Sequence, residues 1–354
     1  MRVTICGIGV VGGFGRGMSA LERALSGGPV DPAIVSIPTR EGDIQVPCLT
    51  ADTTHLAEFM PTRTLRRMSH YIRLGLLAAV DAMTDAGLLE TDRRGRLGII
   101  VATGHGATGN NYAFQYPFED QEEICGSPTR FSNSVHNAAA AYISIALKEM
   151  GPNHSITHED LSFPSALLTA VAWLRQGRVD AVLVGGVDEL SHAYAYAWHV
   201  HQQQHGQTGG PGGGKIPPAG EGACFFLLKA DDNRSAAYAS ISDVRVGRHR
   251  GGPPDRPAAS CYILGTGGVA ATPADYHPWQ AADVRWASYA SVYGDLPVDS
   301  AFDTAIAALS CQKSVIFPDD RMAPGTRGPE PLQGRPIACL KLGVGHTYGW
   351  TLLE

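Results

Sequence analysis

Gly151-Pro152-Asn153-His154-Ser155-Ile156-Thr157-His158-Glu159-Asp160-Leu161-Ser162-Phe163-Pro164-Ser165-Ala166-Leu167-Leu168 decides how this chain folds. A short strand-forming run, His154–Thr157, turns sharply into a helix-forming segment, Ser165–Gln176. α/β enzymes often present a nucleophile at such a turn, because the free N–H groups of the helix N-terminus stabilise negative charge. Here the turn offers His158, Glu159, Asp160 and Ser162, and no cysteine. A structural reading stands beside the chemical one: Asp160 or Ser162 caps the helix, and Pro164 sits in its first turn, where the missing N–H costs little.

Outward from this turn, strand-like and helix-like segments alternate. Upstream lie Arg2–Gly7, Met18–Leu25, Met68–Ala86 closed by Gly87, Leu97–Ala102, and the alanine-rich helix Asn137–Met150 stopped by Gly151-Pro152. Downstream lie the buried strand Ala181–Val184 before Gly185-Gly186, the strands Gly222–Lys229 and Ala236–Val246, then Ser260–Leu264, Ala301–Leu309, Pro336–Leu342 and Thr351–Leu353. Strand and helix in turn predict an α/β class with a largely buried sheet. Gly206–Gly214 and Gly251–Pro257 read as loops. Turn chemistry at Asp231–Arg234 predicts two halves, residues 1–233 and 234–354.

The 354 residues are 44% hydrophobic and 18% charged, with a formal net charge of −6. That is enough chain for one or two substantial cores and argues against disorder. The mild acidic excess gives no electrostatic case for nucleic acid or an anionic membrane. No apolar run reaches the ~20 residues that span a bilayer, and Met1 leads straight into a strand-like run, so a soluble cytoplasmic protein without membrane insertion is expected. Cys6, Cys48, Cys125, Cys224, Cys261, Cys311 and Cys339 are dispersed without CxxC spacing and read as reduced thiols.

Gly7-Ile8-Gly9-Val10-Val11-Gly12 fits GxGxxG, but the next apolar run, Ala33–Pro38, is followed by Thr39-Arg40 before Glu41, with no acid placed for a ribose. A tight strand-to-loop turn is expected instead. Gly104, Gly106 and Gly109 around His105 lack the ending of a phosphate loop and read as a second turn. His199, His201 and His205 lack the HExxH glutamate and read as solvent-facing. No metal and no cofactor is expected.

In order and spacing these segments resemble the β-ketoacyl synthase family of condensing enzymes, over essentially the whole chain. Val3–Val11 is similar to the family's opening strand, and Phe131–Ser144 with Gly151-Pro152 to the segment before its nucleophile. Val179–Gly186 resembles the strand after the nucleophile helix, Gly220-Glu221-Gly222-Ala223 the GEGA turn, and Gly343–Gly349 the C-terminal GFGGTN turn. The resemblance implies a thiolase-like α-β-α-β-α layered fold of two related halves.

Carried over residue by residue, the chemistry departs from the fold. Asp160 falls at the nucleophilic cysteine, and Leu264, of Leu264-Gly265-Thr266, at the first catalytic histidine. The family's KSxxGH falls on Ala290–Asp295, placing Ala290 at the lysine and Asp295 at the second histidine. His346 stands at a glycine of the C-terminal turn and Tyr348 at its asparagine, and the resemblance would bring His346 near Asp160. Condensation needs a thiolate to accept the acyl group and two histidines to stabilise the enolate and oxyanion. Aspartate would give only an activated anhydride, ionised carboxylates would repel an enolate, and Leu264 offers no donor.

Family members without the cysteine act as chain-length factors, pairing with an active ketosynthase and shaping the cavity in which the chain grows. The resemblance therefore implies a non-catalytic subunit of a type II polyketide, aryl polyene or fatty-acid-like synthase. Its partners would be an active ketosynthase and, through the complex, an acyl carrier protein. Asp160 departs from the glutamine that aromatic polyketide factors carry at the cysteine position. The alternative is an enzyme that reuses the pocket of His158, Asp160, Ser162, Leu264, Asp295 and His346 for acyl hydrolysis or cyclisation, with His158 or His346 assisting Asp160 and Asp295.

Overall fold

The computed structural model describes residues 2–27, 30–89, 96–120, 127–205, 216–230, 238–249, 256–267, 273–280, 284–319, 328–332, 334 and 336–354. Cys125, Gly206–Gly214, Asp231–Arg234 and most of Gly251–Pro257 lie outside them.

Two runs of strands build the centre. The first comprises β1 (Val3–Gly12), β2 (Leu97–Ala102), β3 (Asn153–Ile156), β4 (Ala181–Asp188) and β5 (Gly222–Ala230). The second comprises β6 (Ser240–Arg248), β7 (Cys261–Gly265), β8 (Arg285–Ala287), β9 (Ile337–Gly343) and β10 (Thr347–Leu353). Their spatial order is β8-β7-β9-β10-β6-β1-β5-β4-β2-β3, joined at the centre by a short antiparallel β1–β6 pairing, Val3 opposite Ile241. Within each run the order is third, second, fourth, fifth, first. The first three of those strands are mutually parallel and the remaining pairings antiparallel in both runs. One topology therefore occurs twice, as a fold of two related halves requires.

Four helices set the layers: α1 (His70–Asp85), α2 (Ala138–Leu147), α3 (Ser162–Arg175) and α4 (Asp299–Lys313). Helices α3 and α4 lie between the two runs of strands, where Phe163, Leu167, Phe302 and Ile306 share a core with Val184 and Ile263. Helices α1 and α2 cover the other face of the first half, packing Leu74, Ala78 and Ile143 on Val101, Leu183 and Phe225. The outer face of the second half packs Leu264, Leu340, Leu342 and Trp350 beneath Tyr276 and Trp279 of a 3₁₀ segment, Pro273–Trp279. Burying these apolar faces on both sides of strands rich in Val, Ile and Leu is what holds the layers together.

The elements follow the expected pattern with physical corrections at their ends. Of the GxGxxG glycines only Gly12 borders a tight turn, pairing with Gly15 across Gly13-Phe14, whereas Gly7 and Gly9 lie inside β1, directly beneath α1. A Cβ on Gly9 would stand 2.0 Å from the Ala78 carbonyl oxygen, and one on Gly7 2.4 Å from that of Ala82. The glycines and alanines thus let helix and strand backbones touch, which is a packing role and not a phosphate cradle. Strand β4 runs through Gly185-Gly186 to Asp188 rather than ending before them. Helix α2 stops short of Gly151, because Lys148 adopts the left-handed conformation (φ 54°) and the N–H groups of Lys148 and Glu149 return to the carbonyls of Ile145 and Ser144. No helix among the described residues is long and apolar enough to cross a membrane.

Gly9→Ala should destabilise the protein by about 1–3 kcal/mol through overpacking between α1 and β1. Equilibrium urea unfolding measures this, and an unchanged midpoint would show that the close approach is absent.

Candidate functional site

The turn between β3 and α3 is wound tightly. Glu159 takes a left-handed φ of 48°, and the Leu161 N–H donates to the His158 carbonyl at 2.9 Å. Ser162 clamps this turn: its Oγ accepts from the His158 N–H at 2.8 Å and donates to the Glu159 carbonyl at 2.6 Å. Ser162 is therefore a buried brace. Neither it nor Asp160 is the helix cap, a position held by Leu161 without a side-chain hydrogen bond. The geometry turns Asp160 inward and leaves His158 exposed, with its Nδ1 3.0 Å from Ser165 Oγ.

Asp160 meets a lysine that the sequence reading passed over. Lys341 Nζ lies 3.8 Å from Asp160 Oδ1 and 2.7 Å from Asp299 Oδ2, and also donates to the Gly267 carbonyl. Asp299 Oδ2 accepts from the Gly267 N–H at 3.0 Å, while Oδ1 has no hydrogen-bond partner among the described residues. Burial raises the Asp160 carboxyl pKa, opposed by the charges of Lys341 and His105. Burial likewise pushes Asp299 up to about 7 against the pull of Lys341. It also opposes the Lys341 charge, yet Asp299 and Asp160 outweigh it and hold the ammonium above its ordinary range.

Asp295 belongs to the same neighbourhood, since its charge acts on Asp299. Its Oδ1 accepts from the Tyr194 hydroxyl at 2.6 Å. Two of the family-like motifs abut here: the Gly220 N–H donates to the Asp295 carbonyl at 2.8 Å, and Gly294 (φ 84°) lies so close that a Cβ on it would stand 2.8 Å from Gly220 Cα. Only glycine satisfies both that φ and that approach. Ala290 opens the short helix Ala290–Tyr293 and is buried in the central core.

Leu264 and His346 do not join this network. Parallel pairing sets Leu264 opposite Leu340 and Gly265 opposite Lys341, so Leu264 shares the outer apolar cluster while Lys341 is directed to the inner side. The C-terminal turn does border the nucleophile-like turn at its base, where Cβ atoms added to Gly343 and Gly349 would touch Leu161 and Pro164. His346, however, is exposed at the tip of that turn (φ 61°), edge-on to His249 at 5.3 Å. The histidine whose charge reaches Asp160 is His105, whose ring packs 5.1 Å from Tyr194.

Buried carboxylates brace the site from behind. Asp188 accepts from Thr103 Oγ1 at 2.7 Å and from the N–H groups of His105 and Gly104 at 2.9 and 3.1 Å, fixing the glycine-rich turn. Glu221 of the GEGA-like turn accepts from the N–H groups of Ala51 and Leu190, and its Oε1 is 2.9 Å from His70 Nε2. Burial opposes the His70 charge, but Glu221 and then Glu189 outweigh it and raise the His70 pKa. Among the described residues no group of three His, Cys, Asp or Glu side chains is placed to hold a metal ion.

Lys341, Asp299, His105 and Tyr194 were missed because sequence spacing cannot show that they converge. One signal was present: Lys341 is the only charge in the apolar run Ile337–Gly343.

The doubled topology, the helices between the two runs of strands and the turn at β3–α3 define the thiolase-like fold of ketosynthases. Residues 2–212 match the β-ketoacyl synthase N-terminal domain, and the chain belongs to the β-ketoacyl synthase family. Nodulation protein E of Rhizobium leguminosarum bv. trifolii is 27% identical over 252 residues, covering 68% of this chain and 61% of that protein. The chloroplastic 3-oxoacyl-[acyl-carrier-protein] synthase I of Arabidopsis thaliana is 25% identical over 198 residues, covering 53% and 40%. The chain thus spans about three-fifths or less of the length of these curated relatives. Among solved structures, the ishigamide ketosynthase/chain length factor is similar over 100% of this chain and 99% of that one, with a TM-score of 0.73 at 18% identity. A β-ketoacyl synthase from Burkholderia phymatum STM815 has the same coverage, with a TM-score of 0.75 at 18% identity. At such identity these structures establish the fold alone.

Lys341→Met should destabilise the protein by about 3–5 kcal/mol in denaturant unfolding, because it strands Asp299 and Asp160 as unpaired buried carboxyls; a loss below 1 kcal/mol would show that the lysine does not compensate them. The His70–Glu221 pair sets a pH dependence. A raised histidine pKa stabilises fully below its unfolded value of about 6.5 and ceases to do so as pH rises through the folded value. Thermal stability should therefore decline on the alkaline side, and His70→Gln should flatten that part of the profile; an unaltered profile would remove the pair as its cause.

Proposed function

We propose that this chain is a ketosynthase-like subunit without condensing activity of its own, which pairs with an active ketosynthase and shapes the cavity for a growing acyl or polyene chain. The observation that carries this reading is Asp160. The position aligned with the nucleophilic cysteine holds a buried carboxyl beside Lys341 rather than a thiolate. Leu264, aligned with the first catalytic histidine, is committed to the outer apolar cluster, and Asp295, aligned with the second, accepts a hydrogen bond from Tyr194. None of the three supplies the donor that an enolate or oxyanion needs.

A partner surface is supported by the edge of the sheet. Strand β3 is terminal in the sheet order, leaving its outer side as a template for another strand. The adjoining stretch, residues 137–150, exposes Ile145 (71%) and Met150 (98%), and Asn153 Nδ2 ties the strand to the Ala140 carbonyl at 2.8 Å. Apolar side chains beside a strand edge that no other described strand pairs with suit a protein partner. The similar ishigamide structure is described as a ketosynthase/chain length factor, and another, AntDE:AntF, as a type II polyketide synthase acyl carrier protein in complex with its ketosynthase. By analogy the partners here are an active ketosynthase and, through it, an acyl carrier protein, in type II polyketide, aryl polyene or fatty-acid-like synthesis. The hydrolase or cyclase alternative loses support from geometry, because His158 is engaged with Ser165 and His346 faces His249.

Co-expression with a ketosynthase encoded beside it should yield a 1:1 complex on gel filtration, and Ile145→Asp should release the partner. Recovery only as a monomer or self-dimer, with no effect on product length, would refute the subunit reading. An intact complex in the variant would refute the surface alone. Asp160→Cys should leave the isolated chain unable to condense acyl and malonyl carrier-protein thioesters.

A further inference from the structure

We propose that Lys341 and Asp299 condense to an intramolecular isopeptide bond between Nζ and Cγ, with Asp160 relaying the protons, so that the centre of the fold is closed covalently. Such a reaction needs an amine held against a carboxyl group, a second carboxyl to move protons, a donor for the developing oxyanion, and exclusion of water. All four are present. Lys341 Nζ is 2.7 Å from Asp299 Oδ2 and 3.8 Å from Asp160 Oδ1. The side chains of Lys341, Asp299 and Asp160 are 1%, 0% and 8% exposed. The Gly267 N–H points at Asp299 Oδ2 from 3.0 Å, where it would stabilise a tetrahedral oxyanion. Asp299 Oδ1 is buried with no hydrogen-bond partner among the described residues, which leaves it available as the departing oxygen.

Rigid elements hold the reactants. Lys341 lies within β9 between the buried Leu340 and Leu342, and Asp299 is the first residue of α4. Such placement turns a slow bimolecular amidation into an intramolecular one at high effective concentration. Burial also favours the neutral acid of Asp299 and raises the proton affinity of Asp160.

The step balances without a co-reactant. The Lys341 ammonium passes a proton to the Asp160 carboxylate, and the free amine lone pair attacks Cγ of the neutral Asp299 acid to form the N–C bond. Collapse of the tetrahedral intermediate breaks one C–O bond. The second proton lost from nitrogen joins the leaving hydroxyl, which departs as water. Asp160 keeps the proton it took from the ammonium and ends as the neutral acid, which its burial favours. The product is one amide and one water, and a buried ion pair has become a neutral cross-link. The proposal concerns this chain alone and stands or falls separately from its pairing with a ketosynthase.

Intact-mass measurement of the purified full chain tests it directly. The expected mass is that of the sequence less one water, and a protease digest should contain a branched peptide joining the Asp299 and Lys341 segments. Asp299→Ala and Lys341→Met should both restore the full mass. Asp160→Ala should also retain the full mass while keeping the wild-type circular dichroism. A wild-type chain at full sequence mass, with the Lys341 peptide recovered linear, would overturn the proposal without recourse to any variant. An Asp160→Ala chain still lighter by one water would remove Asp160 as the relay.

Discussion

A buried lysine governs the centre of this protein. Lys341 is the side chain that meets Asp160 and Asp299 between the two halves, where desolvation otherwise makes carboxylates costly. It reaches them from β9, the second-half strand in the same place as β4 of the first half. The N-terminus of α4 and the turn before α3 are thereby drawn to one point. Much of the surrounding geometry follows: the Ser162 clamp that turns Asp160 inward, and the left-handed Glu159 that makes the turn tight enough.

The doubled topology explains why the site lies where it does. Each half sends one helix into the middle layer, so α3 and α4 share one core and their N-termini lie near each other. Here that layer brings Asp160 and Asp299 together around Lys341. The fold and the family match show membership of the family, while chemistry has to be argued from the side chains of the site.

Much of the scaffold was legible in the residues. The apolar runs of β2, β4, β5 and β9 and the amphipathic α1 are set by periodicity, and the order of weak motifs together identified the fold. Element ends were less legible, because they depend on contacts. Gly7 and Gly9 look like a turn until α1 is seen lying on them, and α2 ends at Lys148 rather than at Gly151. Alignment to family motifs placed Asp160 and Asp295, which do lie in the Lys341 neighbourhood, but the same resemblance also placed Leu264 and His346 there, and proximity in sequence placed His158. Backbone direction sends Leu264, His346 and His158 elsewhere.

The sequence by itself determined the alternation of strands and helices, the absence of a cysteine at the critical turn and the membership of a condensing-enzyme family, since these rest on local propensity, residue identity and motif order. Only the tertiary structure decided that Lys341, Asp299 and His105 are the groups that face Asp160, because they come from segments far apart in the chain. Their meeting is fixed by strand register and helix packing rather than by spacing. A one-residue change of register in β9 would have sent Lys341 to the outer cluster and Leu340 toward the aspartates, and nothing in the composition distinguishes those outcomes.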